Sequence, residues 1–289
     1  MNHFDPQALK KLYIPPVDSH KGQNGKLMII GGSQLFHAAS IWALTAASRV
    51  VDMVFYSSVA ENNAIVHELK KEFRNGIIVP RSDIESYIEE AEAILIGPGM
   101  LRTSRRELRT KDLNPKTFAE ITSLEDEGEQ SYYLTKYLLH KYPQKKWVID
   151  AGALQMIDLE WLKQLGGNVI LTPHQGEFDR VFATGDEVSD LAKTYNANIL
   201  LKGQEDILCS PSQCVTISGG NAGMTKGGTG DVLAGLIAGL ACKNDLFLAA
   251  AAGAYINKKA GEALFAKVGY TYNASDLAEE IPLVMKQLI

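Results

Sequence analysis

Cysteine is scarce in this sequence and is not spaced for metal binding. Cys209, Cys214 and Cys242 are the only three, and none of the six histidines stands with a cysteine or another histidine at ligand spacing. A structural zinc site is therefore not expected. Reduced, inert thiols in a reducing compartment are the expectation. Long apolar runs are also missing: the strongest, 232–242, is interrupted by Gly235 and Gly239 and is too short to cross a bilayer. The opening Met1-Asn2-His3-Phe4-Asp5-Pro6 lacks the basic-then-apolar order of a secretion signal, which points to a cytoplasmic protein. Positive charge is in deficit, with 29 Lys and Arg against 34 Asp and Glu and a pI near 5.7. Nucleic acid and anionic membranes are accordingly poor partners, and any phosphate site must be local. Two phosphate motifs are absent as well. No Gly-x4-Gly-Lys-Ser/Thr occurs, and Gly97-Pro98-Gly99-Met100-Leu101-Arg102 lacks the third glycine of a dinucleotide fingerprint, so neither a P-loop enzyme nor a Rossmann dehydrogenase fits.

What is present is an ordinary globular composition, 46% hydrophobic and 22% charged, in a chain of 289 residues. That length can bury one large core. Short β-rich runs at 26–30, 53–56, 76–79, 93–96, 146–149, 168–171 and 198–201 alternate with helical stretches. The helical stretches are 38–50, 62–73, 83–91, 130–140, 188–195, 230–242, 246–267 and 274–289. This alternation predicts an α/β fold with a mostly parallel central sheet between helical layers. Several runs are apolar without alternation, as strands covered on both faces require. Residues 206–217 read instead as a hairpin turning at Ser210-Pro211-Ser212, a late antiparallel excursion. The charged stretch 101–130 looks like a surface excursion, and no linker or repeat divides the chain, so 1–289 is read as one domain.

Five strand ends carry glycine or polar residues: Gly31-Gly32-Ser33, Gly97-Pro98-Gly99, Asp150-Ala151-Gly152, Thr172-Pro173-His174 and Lys202-Gly203-Gln204. Each alone is only a turn, but parallel strands deliver such ends to one edge, where open α/β sheets bind ligands. The densest signal is the glycine-rich stretch 219–231, closing on Gly227-Gly228-Thr229-Gly230-Asp231 and leading into a helix. Such a loop turns backbone N–H groups inward, and the helix start adds a positive dipole end, together suited to a phosphate. Asp231 then sits in the first turn as a base for an incoming hydroxyl, with its proton affinity lowered by the helix end. The plainer role is a first-turn helix stabiliser. Small residues at Ala234, Gly235, Ala238 and Gly239 let that helix approach its neighbours closely and hold the loop firmly. His174 and Glu177 lie three apart at a strand-to-helix turn, where they can meet substrate and a magnesium–water shell, or simply cap the turn. Lys202 is placed to meet a nucleotide phosphate, or is a solvated lysine.

In order along the chain, Lys21-Gly22 with Gly25, Gly31-Gly32-Ser33, Ala38-Ala39, Gly97-Pro98-Gly99, Val148-Ile149-Asp150-Ala151-Gly152-Ala153-Leu154, Leu171-Thr172-Pro173-His174 with Gly176-Glu177-Phe178, Leu201-Lys202-Gly203 and 226–235 resemble the ADP- or ATP-dependent NAD(P)H-hydrate dehydratases. The Gly-Gly-Thr-Gly-Asp block alone marks the ribokinase-like superfamily; the combination is more specific. The resemblance implies a ribokinase-like three-layer α/β/α fold and repair of hydrated NADH or NADPH. The S-form ring hydroxyl is phosphorylated from ADP or ATP with Mg2+, and phosphate is then lost. By matching positions it implies that Ala39, Gly99, His174 and Asp231 bind the hydrated nicotinamide nucleotide. Lys202, Gly203, Gln204, Glu205, Asp206, Gly228, Thr229 and Gly230 would bind the adenine nucleotide, with Asp231 catalytic and Glu177 acting indirectly on the metal. His174 resembles the ADP-using branch. Three departures stand out: His37 where glycine is usual, which would narrow the substrate pocket; Gln175 in place of proline; and a long charged segment between Met100 and Lys146. Many bacterial relatives also carry an N-terminal epimerase domain, for which this chain has no room. A homo-oligomer is left open. Two other readings remain: a kinase of the same fold acting on a hydroxymethyl-pyrimidine, pyridoxal-like or thiazole alcohol, and a non-catalytic nucleotide sensor, against which an intact Asp231 argues.

Overall fold

The structure, a computed structural model, describes residues 1–103, 115, 117–183 and 185–289. Ten strands form a single sheet: β1 Asn2–His3, β2 Lys26–Ile30, β3 Met53–Ser57, β4 Ile77–Ile78, β5 Ala93–Ile96, β6 Lys146–Ile149, β7 Val169–Leu171, β8 Asn198–Leu201, β9 Asp206–Cys209 and β10 Cys214–Ile217. Their order is β1-β10-β9-β8-β7-β6-β5-β2-β3-β4. Every pairing is parallel except those of β9 with β8 and β10, the hairpin read from the sequence. The helices are α1 His37–Ala47, α2 Ala60–Leu69, α3 Ile84–Glu90, α4 Phe118–Thr122, α5 Glu127–Lys141, α6 Ala151–Met156, α7 Glu160–Lys163, α8 Gln175–Phe182, α9 Val188–Tyr195, α10 Thr229–Lys243, α11 Leu246–Val268 and α12 Ala274–Leu288. No helix among the described residues is long and apolar enough to cross a membrane.

Strand side chains alternate between two cores, which is why the strands read as continuous apolar runs. Leu27, Ile29, Ala93, Leu95, Val148 and Ile170 pack beneath α1, α10, α11 and α12. Met28, Ile30, Ile94, Ile96, Trp147 and Ile149 pack on the other side with α3 and α5. The long apolar α10 is buried nearly throughout, and its glycines bring it against α1. A Cβ on Gly235 would stand 2.2 Å from the Ala43 carbonyl oxygen, and one on Gly239 would stand 2.3 Å from Val50. The small residues of this helix thus set an interhelical approach that a larger side chain would break.

One expectation is corrected at the hairpin. Cys209 and Cys214 are joined in a disulfide, and only Cys242 is free and buried. The antiparallel register places the two residues directly opposite one another, and across a hairpin that proximity brings two thiols together without any rearrangement of the backbone. Reasoning from compartment alone overlooked it.

Candidate active site

The chain leaves β2 for β3 and β4 on one side, then returns to lay β5 against the other side of β2. This reversal of direction opens a crevice beyond the carboxyl ends of β2 and β5, the place where such sheets take ligands. The loops after those strands approach tightly. Gly32 N–H donates to the Pro98 carbonyl at 2.7 Å, and Gly99, at φ +72°, could carry a Cβ only 2.7 Å from the Phe36 carbonyl oxygen. Glycine at 99 is therefore required by both conformation and space.

A cavity of about 710 Å³ fills the crevice, and Ala39, Gly99, His174, Glu177 and Asp231 line it. The four residues assigned to substrate are thus brought together from α1, the β5 loop, the β7 turn and α10. His37 does not line it; Leu35 and Phe36 do. The His174 ring caps α8, its Nδ1 accepting from Gly176 N at 3.0 Å and Glu177 N at 3.3 Å, while Glu177 Oε2 accepts from His174 N at 3.0 Å. His174 and Glu177 thus form a capping box at this turn. With Nδ1 committed as an acceptor, the neutral ring carries its proton on Nε2, a donor on an imidazole that is 61% exposed. Gln175, in place of a proline, donates to Asp179 on the outer face of α8.

A second cavity, of about 740 Å³, lies on the other side of the α10 start. Lys202, Gly203, Gln204, Glu205, Asp206, Thr229 and Gly230 line it, all seven assigned to the nucleotide. Gly228 does not. It is the N-cap of α10 at φ +95°, where a Cβ would stand 2.4 Å from the Trp42 ring, so its contribution is to the backbone of the cradle. The Thr229 hydroxyl donates to the carbonyls of Met224 and Lys226, fastening the loop to the helix. Two residues unremarked in the sequence also face this cavity. Lys258 pairs with Asp206 at 3.2 Å and donates to the carbonyls of Gly203 and Gln204, tying the β8–β9 turn to α11. The buried Asn257 amide oxygen has no hydrogen-bond partner among the described residues.

Between the two cavities sits a cluster of charge. Lys202 Nζ is 3.1 Å from Asp150 Oδ1, which also accepts from the Thr172 hydroxyl at 2.8 Å. Burial opposes the Lys202 ammonium, but Asp150, Glu177 and Asp231 outweigh it and hold its pKa above the ordinary value. Asp231 departs from the sequence expectation. Burial first, then the charges of Asp150 and Glu177, push its pKa up to about 7 against the pull of Lys202. The helix end cannot offset the loss of water and two like charges, which come from the end of β6 and from α8, both distant in sequence. A carboxylate poised near neutrality is suited to taking a proton in a transition state.

A three-layer fold with a mostly parallel sheet and a glycine-built helix start over an aspartate defines the ribokinase-like class. The structure superposes on a ribokinase-like superfamily protein from Enterococcus faecalis with a TM-score of 0.79, 22% identity, 99% of this chain and 96% of that one. Within that class, the chain belongs to the NAD(P)H-hydrate dehydratase family, whose model matches residues 27–283. It is 36% identical over 283 residues to a bifunctional NAD(P)H-hydrate repair enzyme of Methanocaldococcus jannaschii, covering 96% of this chain and 51% of that protein. It spans about half the length of the bifunctional relatives it matches. It is also 33% identical over 291 residues to an ADP-dependent (S)-NAD(P)H-hydrate dehydratase of Nitrosopumilus maritimus, covering 96% of this chain and 95% of that one. A Bacillus subtilis ADP/ATP-dependent NAD(P)H-hydrate dehydratase co-crystallized with ATP and Mg2+ shares the fold, with a TM-score of 0.75 and 23% identity over 100% of this chain and 99% of that one.

Proposed function

We propose that this chain dehydrates the S-form of hydrated NADH and NADPH at the expense of ADP or ATP, with ADP the preferred donor. The observation that supports it most directly is the placement of Gly230 and Asp231. These consecutive residues face two different cavities, one bearing the nucleotide residues and the other the substrate residues. A terminal phosphoryl group of the donor would cross at the first turn of α10. The ring hydroxyl oxygen attacks phosphorus while Asp231 takes its proton, and the bond from phosphorus to the leaving nucleotide oxygen breaks. Lys202 and the backbone of the glycine loop stabilise the charge that accumulates during transfer. In the second step the ring nitrogen lone pair expels phosphate with its bonding electrons. Loss of a proton from the adjacent carbon restores the double bond. Phosphate leaves far more readily than hydroxide, which is the reason for spending a nucleotide.

No group of three His, Cys, Asp or Glu forms a protein-only metal centre among the described residues. A nucleotide-bound Mg2+ needs only one or two carboxylates besides phosphate oxygens. Glu177 fits an indirect place in that shell, since its two oxygens already accept from Gln155 Nε2 and His174 N and would reach the ion through water. The ion would supply neutralisation of phosphate charge.

The test is to mix the protein with hydrated NADH, Mg2+ and either ADP or ATP and follow the return of reduced-nicotinamide absorbance. Nucleotide-dependent recovery that collapses in Asp231→Asn is expected. Accumulation of a stable phosphorylated product without recovery would instead indicate a small-molecule kinase.

A further inference from the structure

Three polar side chains of the substrate cavity take no part in the reaction steps above: Arg102 after β5, Gln155 on α6 and Arg180 on α8. Both guanidiniums donate through Nη1 to the same Gln155 Oε1, while Gln155 Nε2 donates to Glu177 Oε1 at 3.0 Å. Two cations brought to one neutral oxygen repel each other. Neither forms an ion pair with a carboxylate of the described residues. Among the described residues each makes no other side-chain hydrogen bond, and both stand at the exposed wall of the cavity, in the planar fork that matches phosphate oxygens. Gln155, itself anchored on Glu177, fixes the pair relative to His174 and Asp231.

Arg102 also lines an adjoining cavity of about 830 Å³, which shares Leu35 and Leu101 with the first. The cavity that holds Asp231 and both guanidiniums therefore adjoins a further space at Leu35, Leu101 and Arg102. We infer that Arg102 and Arg180, held by Gln155, clamp the diphosphate bridge of the hydrated dinucleotide, with its adenosine end continuing into the adjoining cavity. This inference rests on the activity proposed above and assigns the part of the substrate remote from the reacting ring. Anchoring there positions the ring hydroxyl at Asp231 and contributes to binding rather than to the chemical step.

The experiment compares wild type with Arg102→Gln, Arg180→Gln and the double variant on two substrates, hydrated NADH and hydrated reduced nicotinamide riboside, which has no phosphate. Equilibrium binding of hydrated NADH without nucleotide is measured alongside. In the double variant KM and Kd for hydrated NADH should rise 30-fold or more, each single variant rising about tenfold. The change in kcat should stay within threefold, and KM for the riboside should not move. An unchanged KM and Kd for hydrated NADH in the double variant, with wild type active, would overturn the clamp and leave the proposed activity standing. Wild type that binds hydrated NADH and loses that binding in the double variant, but never turns it over, would uphold the clamp and overturn the activity. An equal rise in KM for the riboside would also overturn the clamp, by revealing a general distortion of the cavity.

Discussion

Replacing Asp231 by asparagine should make the protein more stable at alkaline pH while abolishing its turnover. The folded carboxyl titrates at about 7 against an ordinary 3.8, a gap of about three pH units, or about 4 kcal/mol as a ceiling. A raised folded pKa means the fold favours the protonated form. The penalty is therefore absent below about pH 4, grows as pH rises, and is complete above about pH 7. Asparagine keeps the shape and removes the charge. Because the side chains around Asp231 can rearrange to relieve its charge, about half of the ceiling should survive, about 2 kcal/mol. For a domain of this size that is a melting temperature roughly 4 °C higher at pH 8, with the two curves converging near pH 4. Thermal unfolding by circular dichroism across pH 4–9 measures the difference. A gap that does not vary with pH, or a variant less stable than wild type at pH 8, would refute the account of Asp231 as a carboxylate strained by burial and like charge.

Further outcomes follow from the site and from the hairpin. The acid limb of kcat/KM should have its midpoint near 7, the pKa of Asp231. Asp150→Asn, which removes the larger of the two like charges while leaving an oxygen for Thr172 and Lys202, should lower that midpoint by about one pH unit; pH–rate profiles that coincide would count against it. Thiol titration of the denatured, unreduced protein should find one cysteine, Cys242, and three after reduction. The loop between Cys209 and Cys214 is short, so reduction should cost at most about 2 kcal/mol in urea unfolding.

Much of the fold could be read from the chain because β2, β3, β5, β6, β7 and β8 are buried on both faces and are therefore apolar through most of their length. The exceptions have physical causes. β1 is the polar pair Asn2–His3, recognisable only by its pairing with β10, and the run at 76–79 narrows to Ile77–Ile78 at the sheet edge. α8 starts on a histidine cap, which propensity does not favour. Of the charged stretch 101–130, residues 104–114 and 116 lie outside the described residues, and the remainder holds α4 and the start of α5. At the site, the glycine loop and the strand-end turns were legible because each is a local pattern. The proton affinity of Asp231 was not, since the groups that raise it arrive on β6 and α8. Likewise, Arg102, Gln155 and Arg180 carry no motif and converge only when the loop after β5 meets α6 and α8. The cysteine pair follows from register: Cys209 and Cys214 face each other only in the pairing that the hairpin adopts.

The thin wall between the two cavities has a kinetic consequence. Each reactant has its own mouth, so neither obstructs the other's entry or exit, and binding in either sequence should lead to the same ternary complex. Under the proposed activity, a spent nucleotide could depart while the phosphorylated ring stays seated, leaving the nucleotide-independent elimination to finish behind it. A fresh donor molecule can then load before the repaired coenzyme has gone.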